Sequence, residues 1–116
     1  MARTLLDQIV FNLIANARDA MPNGGDIVLR TIAAPFPVHG NTALMLEVGD
    51  TGTGMTAEVK ARIFEPFFST KAPGRGTGLG LRTVQKIVKR AGGDIAVESS
   101  AGAGATFRIF LPVAMD

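Results

Sequence analysis

The glycine-rich stretch GRGTGLGL, residues 74–81, restricts the fold of this chain most strongly. Four of its eight residues are glycine, and an amphipathic helical pattern over 78–90 begins where the stretch ends. Glycine removes side chains where a backbone must approach another group closely. Because free backbone N–H groups at a helix N-terminus bind anions, the stretch predicts a phosphate-binding site, and a flexible loop is the alternative.

The composition is that of one compact domain. The chain has 116 residues, and 47% of them are hydrophobic, which is enough for a core. The net charge of +2 is too small to indicate nucleic-acid binding. The absence of cysteine excludes disulfides and thiolate metal sites and agrees with a reducing, cytoplasmic compartment. No apolar run approaches the roughly 18 residues of a membrane span, so we expect no membrane contact by this domain.

The order of the predicted elements indicates two layers. Helices are predicted over 4–21, 56–62 and 78–90, and strands over 26–33, 42–49, 94–98 and 105–111. This order predicts an α/β two-layer sandwich, in which helices pack on one face of a mixed, mostly antiparallel sheet. The last two strands are expected to form a hairpin around Gly102 and Gly104. The connection at 64–76 is long for a structureless segment, and such loops are usually functional.

Three polar residues, Asn12, Asn16 and Asp19, share one face of the first predicted helix at positions i, i+4 and i+7. Asparagine is a poor helix former, and this face lacks the Lys and Glu that usually fill solvated helix surfaces. A solvated face is still one interpretation. The other is a ligand site, because an amide oxygen suits a hard cation such as magnesium.

The segment DTGTGM, residues 50–55, follows an apolar strand. Asp-x-Gly is good turn chemistry, so a tight turn is one interpretation. In the other, the Asp50 carboxylate accepts a hydrogen bond from an exocyclic amine, while Gly52 and Gly54 allow a planar ring to approach. His39, the only histidine, lies in a proline- and glycine-bearing loop and is interpreted as an ordinary loop residue.

Together these segments resemble the catalytic ATP-binding domain of bacterial sensor histidine kinases, within the GHKL superfamily. The resemblance covers almost the whole chain as a single domain, 1–116, and implies the Bergerat ATP-binding fold. The segments NARDAMP and EPFFSTK are most similar in sequence to the nitrogen-regulation and hybrid kinase types. The matching segments are the N box at 12–21, the first glycine box at 50–55, the F box at 63–71, the ATP lid at about 64–77, the second glycine box at 74–81 and the last glycine box at 102–106.

The resemblance implies a site for ATP and Mg²⁺. Asn16 would hold the metal through its amide oxygen, and Asn12 would support the metal and phosphates, so these two are the expected catalytic residues. Asp50 would bind the adenine amino group, and Phe67 and Phe68 would help to anchor the lid. The other residues expected at the nucleotide are Asp19, Gly52, Gly54, Met55, Phe64, Lys71, Arg75, Gly76, Thr77, Gly78, Leu79, Gly80, Leu81 and Thr106, the last of them near the adenine end.

Two departures from the family pattern bear on the reaction. ATP-hydrolysing relatives of the gyrase, Hsp90 and MutL types resemble one another in carrying Glu where this chain has Asn12, and Asn12 cannot act as a general base. The resemblance therefore implies a protein-histidine kinase rather than a hydrolase. Asp19 stands where many histidine kinases carry Lys or Arg, so charge stabilisation would come from magnesium and the lid. An ATP-hydrolysing machine, a non-catalytic nucleotide sensor and a structural domain are the alternatives.

The implied partners are other domains of a two-component system. His39 does not resemble the phosphoacceptor, so the γ-phosphoryl would pass to a histidine on a separate dimerisation domain and then, indirectly, to a response-regulator receiver domain. The strand and helix that usually precede the N box are not recognised, so we expect an N-terminally truncated domain. Its open sheet edge would allow pairing with a second copy.

Overall fold

The computed structural model describes residues 3–36, 42–66 and 80–112. These residues form the seven predicted elements in the predicted order. They are α1 (Arg3–Asp19), β1 (Ile27–Pro35), β2 (Thr42–Asp50), α2 (Ala57–Lys60), α3 (Gly80–Arg90), β3 (Asp94–Ser99) and β4 (Ala105–Pro112). The predicted ends differ from these by a few residues, most visibly at α2, which is shorter than the predicted helix over 56–62.

Part of the predicted nucleotide site lies outside the described residues. His39, which is interpreted as an ordinary loop residue, also lies outside them. The part of the nucleotide site that lies outside them comprises Phe67, Phe68, Lys71, Arg75, Gly76, Thr77, Gly78 and Leu79. The expected contacts of these residues with ATP stay predictions. The second glycine box is therefore represented in the structure only by its last two residues, Gly80 and Leu81.

The four described strands form one sheet in the order β1-β2-β4-β3. All three pairings are antiparallel, and β3 and β4 form the expected hairpin. The register places Asp50 opposite Ala105, and Ala105 opposite Ser99, in one row at the end of the sheet. The expected mostly antiparallel sheet is confirmed, with no parallel pair among the described strands.

The main core lies between the two long helices and one face of the sheet. Every second residue of a strand points to this face, because successive side chains of a strand point to opposite faces of the sheet. Its buried members are Ile9 and Leu13 from α1, Val84 and Val88 from α3, Ile63, and the strand residues Leu46, Val48, Ala105, Phe107, Ile109 and Leu111. The predicted two-layer arrangement is therefore confirmed.

The predicted caps at the start of α2 and at the end of α3 are confirmed. Thr56 caps α2, because its side-chain oxygen accepts a hydrogen bond of 3.2 Å from the backbone N–H of Val59. At the end of α3, Gly92 has φ of +78°, and the N–H of Gly93 donates to the carbonyl of Val88 at 2.9 Å. A glycine at this position reverses the chain into β3 without the steric cost of a side chain.

The sheet face away from the helices carries a row of alternating charges. Arg30 Nε lies 3.0 Å from Glu47 Oε1, and Arg108 Nε lies 2.9 Å from Glu47 Oε2. Arg108 also contacts Glu98 at 3.1 Å, so the row crosses all four strands. Glu47 is only 8% exposed. The hydrogen bond from Arg30 holds the pKa of Glu47 below its ordinary value; burial opposes this effect, and the hydrogen bond from Arg108 adds to it.

Strand β1 is an edge strand with an unusual sequence for that position. Val28 and Leu29 are 56% and 50% exposed, and they point to opposite faces of the sheet. Ile27 and Ile32 are also exposed. A strand that is apolar on both faces normally lies inside a sheet, and an exposed apolar edge invites pairing with another strand.

Candidate functional site

The amide side chains of Asn12 and Asn16 lie on α1, half-buried, next to the side that packs in the core. Among the described residues neither side chain has a hydrogen-bond partner, and neither amide is sealed from solvent. Both amides are therefore available to a ligand. Asp19 is exposed, and its carboxylate lies 3.9 Å from Arg18 Nε.

The first residue of α3 faces Asn12. A Cβ atom added to Gly80 would lie 3.4 Å from Asn12 Oδ1, closer than to any other described side chain. Glycine at this position keeps the space between the helix start and the asparagine open. The structure thus brings together two of the predicted site segments, the N box and the end of the second glycine box.

The loop over 51–56 is fastened to the C-terminal end of α1. The N–H of Thr53 donates to the carbonyl of Ala20 at 3.1 Å. A Cβ atom on Gly52 would collide with that same carbonyl, so only glycine fits there. Ala20 in turn donates its N–H to the carbonyl of Asn16 at 3.1 Å, so the loop lies one helical turn from Asn16.

The Asp50 carboxylate is half-buried at the end of β2. Its Oδ1 accepts a hydrogen bond of 2.8 Å from the N–H of Gly52, which is the side chain-to-backbone bond of an Asx turn. No described residue forms a hydrogen bond or an ion pair with Oδ2. The turn interpretation of DTGTGM is therefore confirmed, and the turn leaves one carboxylate oxygen open to a ligand.

The opposite side of this loop contacts the turn between β3 and β4. The N–H of Gly102 donates to the carbonyl of Thr53 at 2.7 Å. Gly54 and Gly104 have φ of +68° and +73°. A Cβ atom on Gly54 would collide with the carbonyl of Ser100, and one on Gly104 with the carbonyl of Asp50. The two backbones are thus in direct contact, and side chains are excluded between them.

Three apolar residues of the predicted nucleotide-binding set, Met55, Phe64 and Leu81, are half-buried and pack against the main core. Their contacts with a nucleotide stay predictions.

Thr106 and Asp50 point to opposite faces of the sheet. Thr106 pairs in register with Gly49, and a Cβ atom on Gly49 would lie 3.3 Å from Thr106 Oγ1. Ala105 is the register partner of Asp50 and lies in the core. Thr106 instead lines an open groove of about 410 Å³ with Lys60, Ala96, Val97, Glu98, Ser99, Ser100, Ala103 and Arg108. The structure therefore places Thr106 on the face opposite to Asp50, and the expected contact of Thr106 with the adenine end stays a prediction.

Sequence reasoning missed Ser99 as a site residue. Its hydroxyl accepts a hydrogen bond of 2.9 Å from the N–H of Met55 and donates one of 2.7 Å to the carbonyl of Gly104. A signal for it exists in the sequence, because Ile95 and Val97 precede it at the inward-facing positions of the same strand. A polar residue that continues such a series needs hydrogen-bond partners inside the fold.

The donor set fits a weakly held magnesium ion. Within residues 3–36, 42–66 and 80–112, no group of three or more His, Cys, Asp or Glu side chains could enclose a metal. The amide oxygens of Asn12 and Asn16 are neutral oxygen donors. Magnesium commonly takes only one or two protein ligands and completes its shell with water and phosphate oxygens, which is the arrangement that these residues allow.

Residues 1–115 match the family model described as histidine kinase-, DNA gyrase B- and HSP90-like ATPase. This chain belongs to that ATPase family. Within it, the sensor kinase CckA of Brucella abortus (strain 2308) is 50% identical over 91% of this chain and 12% of its own length. The chain spans between 12% and 24% of the lengths of eight sensor kinases to which it is similar.

Solved structures place the chain among histidine kinase catalytic domains of this ATPase family. The mycobacterial sensor histidine kinase MprB superposes with a TM-score of 0.78, at 27% identity, over 97% of this chain and 72% of that one. Full-length ShkA in complex with AMPPNP gives 0.75, at 32% identity, over 96% and 22%. The resemblance to histidine kinases is confirmed. Among the described residues, no helix has the length and apolarity needed to cross a membrane.

Proposed function

We propose that this domain binds ATP with Mg²⁺ in the cytoplasm and donates the γ-phosphoryl group to a histidine on a separate dimerisation domain. The observation that carries the proposal is the Asp50 carboxylate. One of its oxygens accepts a 2.8 Å hydrogen bond from the Gly52 N–H, and no described residue donates a hydrogen bond to the other. Membership of the ATPase family, and the ATP analogue named in the ShkA complex, support the same function.

The loop over 50–55 would bind the adenine base. The open oxygen of Asp50 would accept a hydrogen bond from the exocyclic amine, which guanine lacks at that position. Gly52 and Gly54 expose backbone without side chains, so a planar ring fits against them. Met55 adds apolar surface for the ring. This arrangement favours adenine over guanine, because a carbonyl oxygen facing the carboxylate would be repelled.

The amide pair on α1 and the start of α3 would bind the phosphates. Gly80 is the first residue of α3 and lies next to Asn12. The backbone N–H groups at the start of a helix attract anions. Asn16 would hold magnesium through its amide oxygen, and the ion would neutralise charge on the phosphates. Lys71 and Arg75 are proposed to add positive charge from the lid.

The reaction needs positioning more than it needs an acid or a base. The lone pair of the acceptor imidazole would form the new P–N bond, while the bond from the γ-phosphorus to the bridging oxygen breaks and ADP leaves. Asn12 can orient phosphate or metal through its amide but cannot deprotonate water. The residues of this chain therefore favour transfer to a nitrogen nucleophile over hydrolysis.

The proposed partners follow from the acceptor histidine that the reaction requires. We place the acceptor histidine on a dimerisation domain of the same kinase, and a response-regulator receiver domain would take the phosphoryl group from it. We also propose that the apolar edge of β1 pairs with a second copy of this chain when the domain is isolated. The exposed side chains of Val28 and Leu29 support that pairing.

The test has two stages and uses the purified chain, with circular dichroism first to establish that it is folded. Titration calorimetry with ATP and with GTP, each with and without Mg²⁺, should give micromolar, magnesium-dependent binding that prefers ATP. The chain is then mixed with γ-labelled ATP and a separately purified dimerisation domain. Label should appear on the domain with the acceptor histidine and should disappear when that histidine is changed to Gln. Steady phosphate release without label transfer would instead identify a hydrolase.

A further inference from the structure

We propose that Ser99 is a positioning residue for the base-binding loop, which is the loop over 50–55. We propose that the Ser99 hydroxyl sets the affinity of the site for the adenosine part of ATP. The inference rests on the proposed nucleotide function and adds to it a residue outside the five predicted sequence boxes. Ser99 is the last residue of β3 and follows two core-facing residues, Ile95 and Val97.

The Ser99 hydroxyl joins two backbone segments that are far apart in sequence. It accepts the hydrogen bond from the N–H of Met55 at 2.9 Å and donates its own proton to the carbonyl of Gly104 at 2.7 Å. A hydroxyl is the smallest group that can accept and donate at once. Both functions are used here, so neither alanine nor an acceptor-only group can replace it.

The bond from Met55 to Ser99 is one of three attachments between residues 50–55 and the turn after β3. At one end, Gly104 packs against the carbonyl of Asp50, with no room for a side chain. At the other end, Ser99 holds the backbone of Met55. In the middle, the N–H of Gly102 donates to the carbonyl of Thr53 at 2.7 Å. The turn after β3 therefore holds residues 50–55 in position.

Of these three attachments, only the one at Met55 depends on a side chain. The bond between Gly102 and Thr53 joins two backbone groups, and the contact at Gly104 is backbone against backbone. Substitution of Ser99 therefore releases the backbone of Met55 directly. At the Asp50 end it removes the hydrogen bond to the carbonyl of Gly104, but the backbone contact between Gly104 and Asp50 does not depend on the hydroxyl. A pocket wall that loses its position costs affinity for the group that it contacts, because the ligand must then order the wall on binding.

The experiment compares Ser99→Ala with Ser99→Thr, which keeps the hydroxyl on a strand-favouring residue. Ser100→Ala is the matched control, because the Ser100 side chain is exposed and has no hydrogen-bond partner among the described residues. Calorimetry measures the affinity of each folded variant for Mg-ATP and for magnesium tripolyphosphate, which has no base. Amide hydrogen exchange by NMR measures the protection of the Met55 N–H without any ligand.

We expect Ser99→Ala to weaken ATP binding by about five- to tenfold, the loss that one ordinary hydrogen bond predicts. Tripolyphosphate affinity should stay within about twofold, and the Met55 amide should exchange at least about tenfold faster. Ser99→Thr should restore both readouts, and Ser100→Ala should change neither.

Three results would overturn the proposal. Unchanged exchange at Met55 shows that Ser99 does not hold the loop. Parallel losses for ATP and tripolyphosphate show a general structural defect instead of a base-specific one. A folded wild-type chain that does not bind ATP overturns the proposed function itself, and with it the nucleotide role of Ser99, whatever the exchange of Met55 shows.

Discussion

Asp50 Oδ1 accepts a 2.8 Å hydrogen bond from the N–H of Gly52, two residues along the chain. The bond restrains the rotation of the carboxylate, so the second oxygen is partly oriented before any ligand binds. A group that is already oriented loses little entropy on binding, and this is where the affinity for the base should originate.

The substitution Asp50→Asn should weaken ATP binding by about 1.5–3 kcal/mol without unfolding the chain. The amide oxygen can still accept from Gly52, but the NH₂ group then faces the exocyclic amine, and two donors oppose each other. Titration calorimetry gives the affinity, and thermal unfolding gives the stability. Asp26→Asn, at an exposed position in the same region, is the control. An affinity equal to wild type would remove Asp50 from the base site.

The substitution Asn16→Ala should remove most of the magnesium dependence of ATP binding. The amide of Asn16 is accessible and has no partner among the described residues, so its loss exposes no unsatisfied partner in the fold. Calorimetry with and without Mg²⁺ measures the difference between the two affinities. Asn23→Ala, on the exposed turn after α1, should keep that difference. If Asn16→Ala keeps it as well, magnesium is held elsewhere.

Glu47 should make the domain sensitive to acid. Its pKa is lowered in the folded state, chiefly by the hydrogen bond from Arg30, so the folded state binds a proton less readily than the unfolded chain. The stabilisation is thus fully present above the ordinary value of 4.5 and is lost as pH falls through the lower, folded-state pKa. Urea unfolding between about pH 7 and 3 should show this loss.

The variant Glu47→Gln should be less stable at neutral pH by about 1–3 kcal/mol and should lack that part of the acid dependence. Both arginines then lose a buried charged acceptor. Glu98→Gln, whose side chain is 77% exposed, should change stability by less than about 1 kcal/mol. Equal effects at the two positions would mean that burial of Glu47 does not matter.

The glycines around the base-binding loop allow a graded test. Gly102 and Gly104 both have positive φ, but a Cβ atom on Gly102 would meet nothing within 4 Å, whereas one on Gly104 would collide with the carbonyl of Asp50. Gly102→Ala should therefore cost only the backbone strain, about 1–2 kcal/mol. Gly104→Ala should cost more and should also weaken ATP binding. Chemical denaturation and calorimetry measure the two effects, and similar values for both variants would contradict the close contact.

The sequence was sufficient to predict the helices and strands because its hydrophobic spacing and its capping residues indicate the same elements. Val84 and Val88 recur at helical spacing and are both fully buried, while Thr56 and Gly92 mark helix ends that the structure confirms. The polar face of α1 was singled out because residues such as Asn16 are poor helix formers. The segment with Asp50 fits a plain turn equally well, so its assignment to the nucleotide site came from the resemblance to the kinase family.

The parts that could not be predicted depend on register and on long-range contacts. Thr106 and Ala105 are neighbours in sequence, and only the pairing of β4 with β2 decides which of them lies beside Asp50. The inward-facing position of Ser99 predicts that its hydroxyl has a partner, but Met55 is 44 residues away, so the sequence does not indicate which partner it is. The close approach of α3 to Asn12 likewise depends on how the two helices pack, which spacing along one helix does not specify.

The apolar edge of β1 should make the isolated chain self-associate. Val28 is 56% exposed, and the edge of β1 that faces away from β2 pairs with no other described strand. Val28→Lys places a charge on that edge, which should raise the dissociation constant of the association at least about tenfold, because pairing would bury an unpaired ammonium group. Sedimentation velocity across a range of concentrations measures it. Ala101→Lys adds the same charge at an exposed turn and should leave association unchanged. A wild-type chain that stays monomeric throughout the range, or association that is equal in both lysine variants, would show that the β1 edge is not the contact.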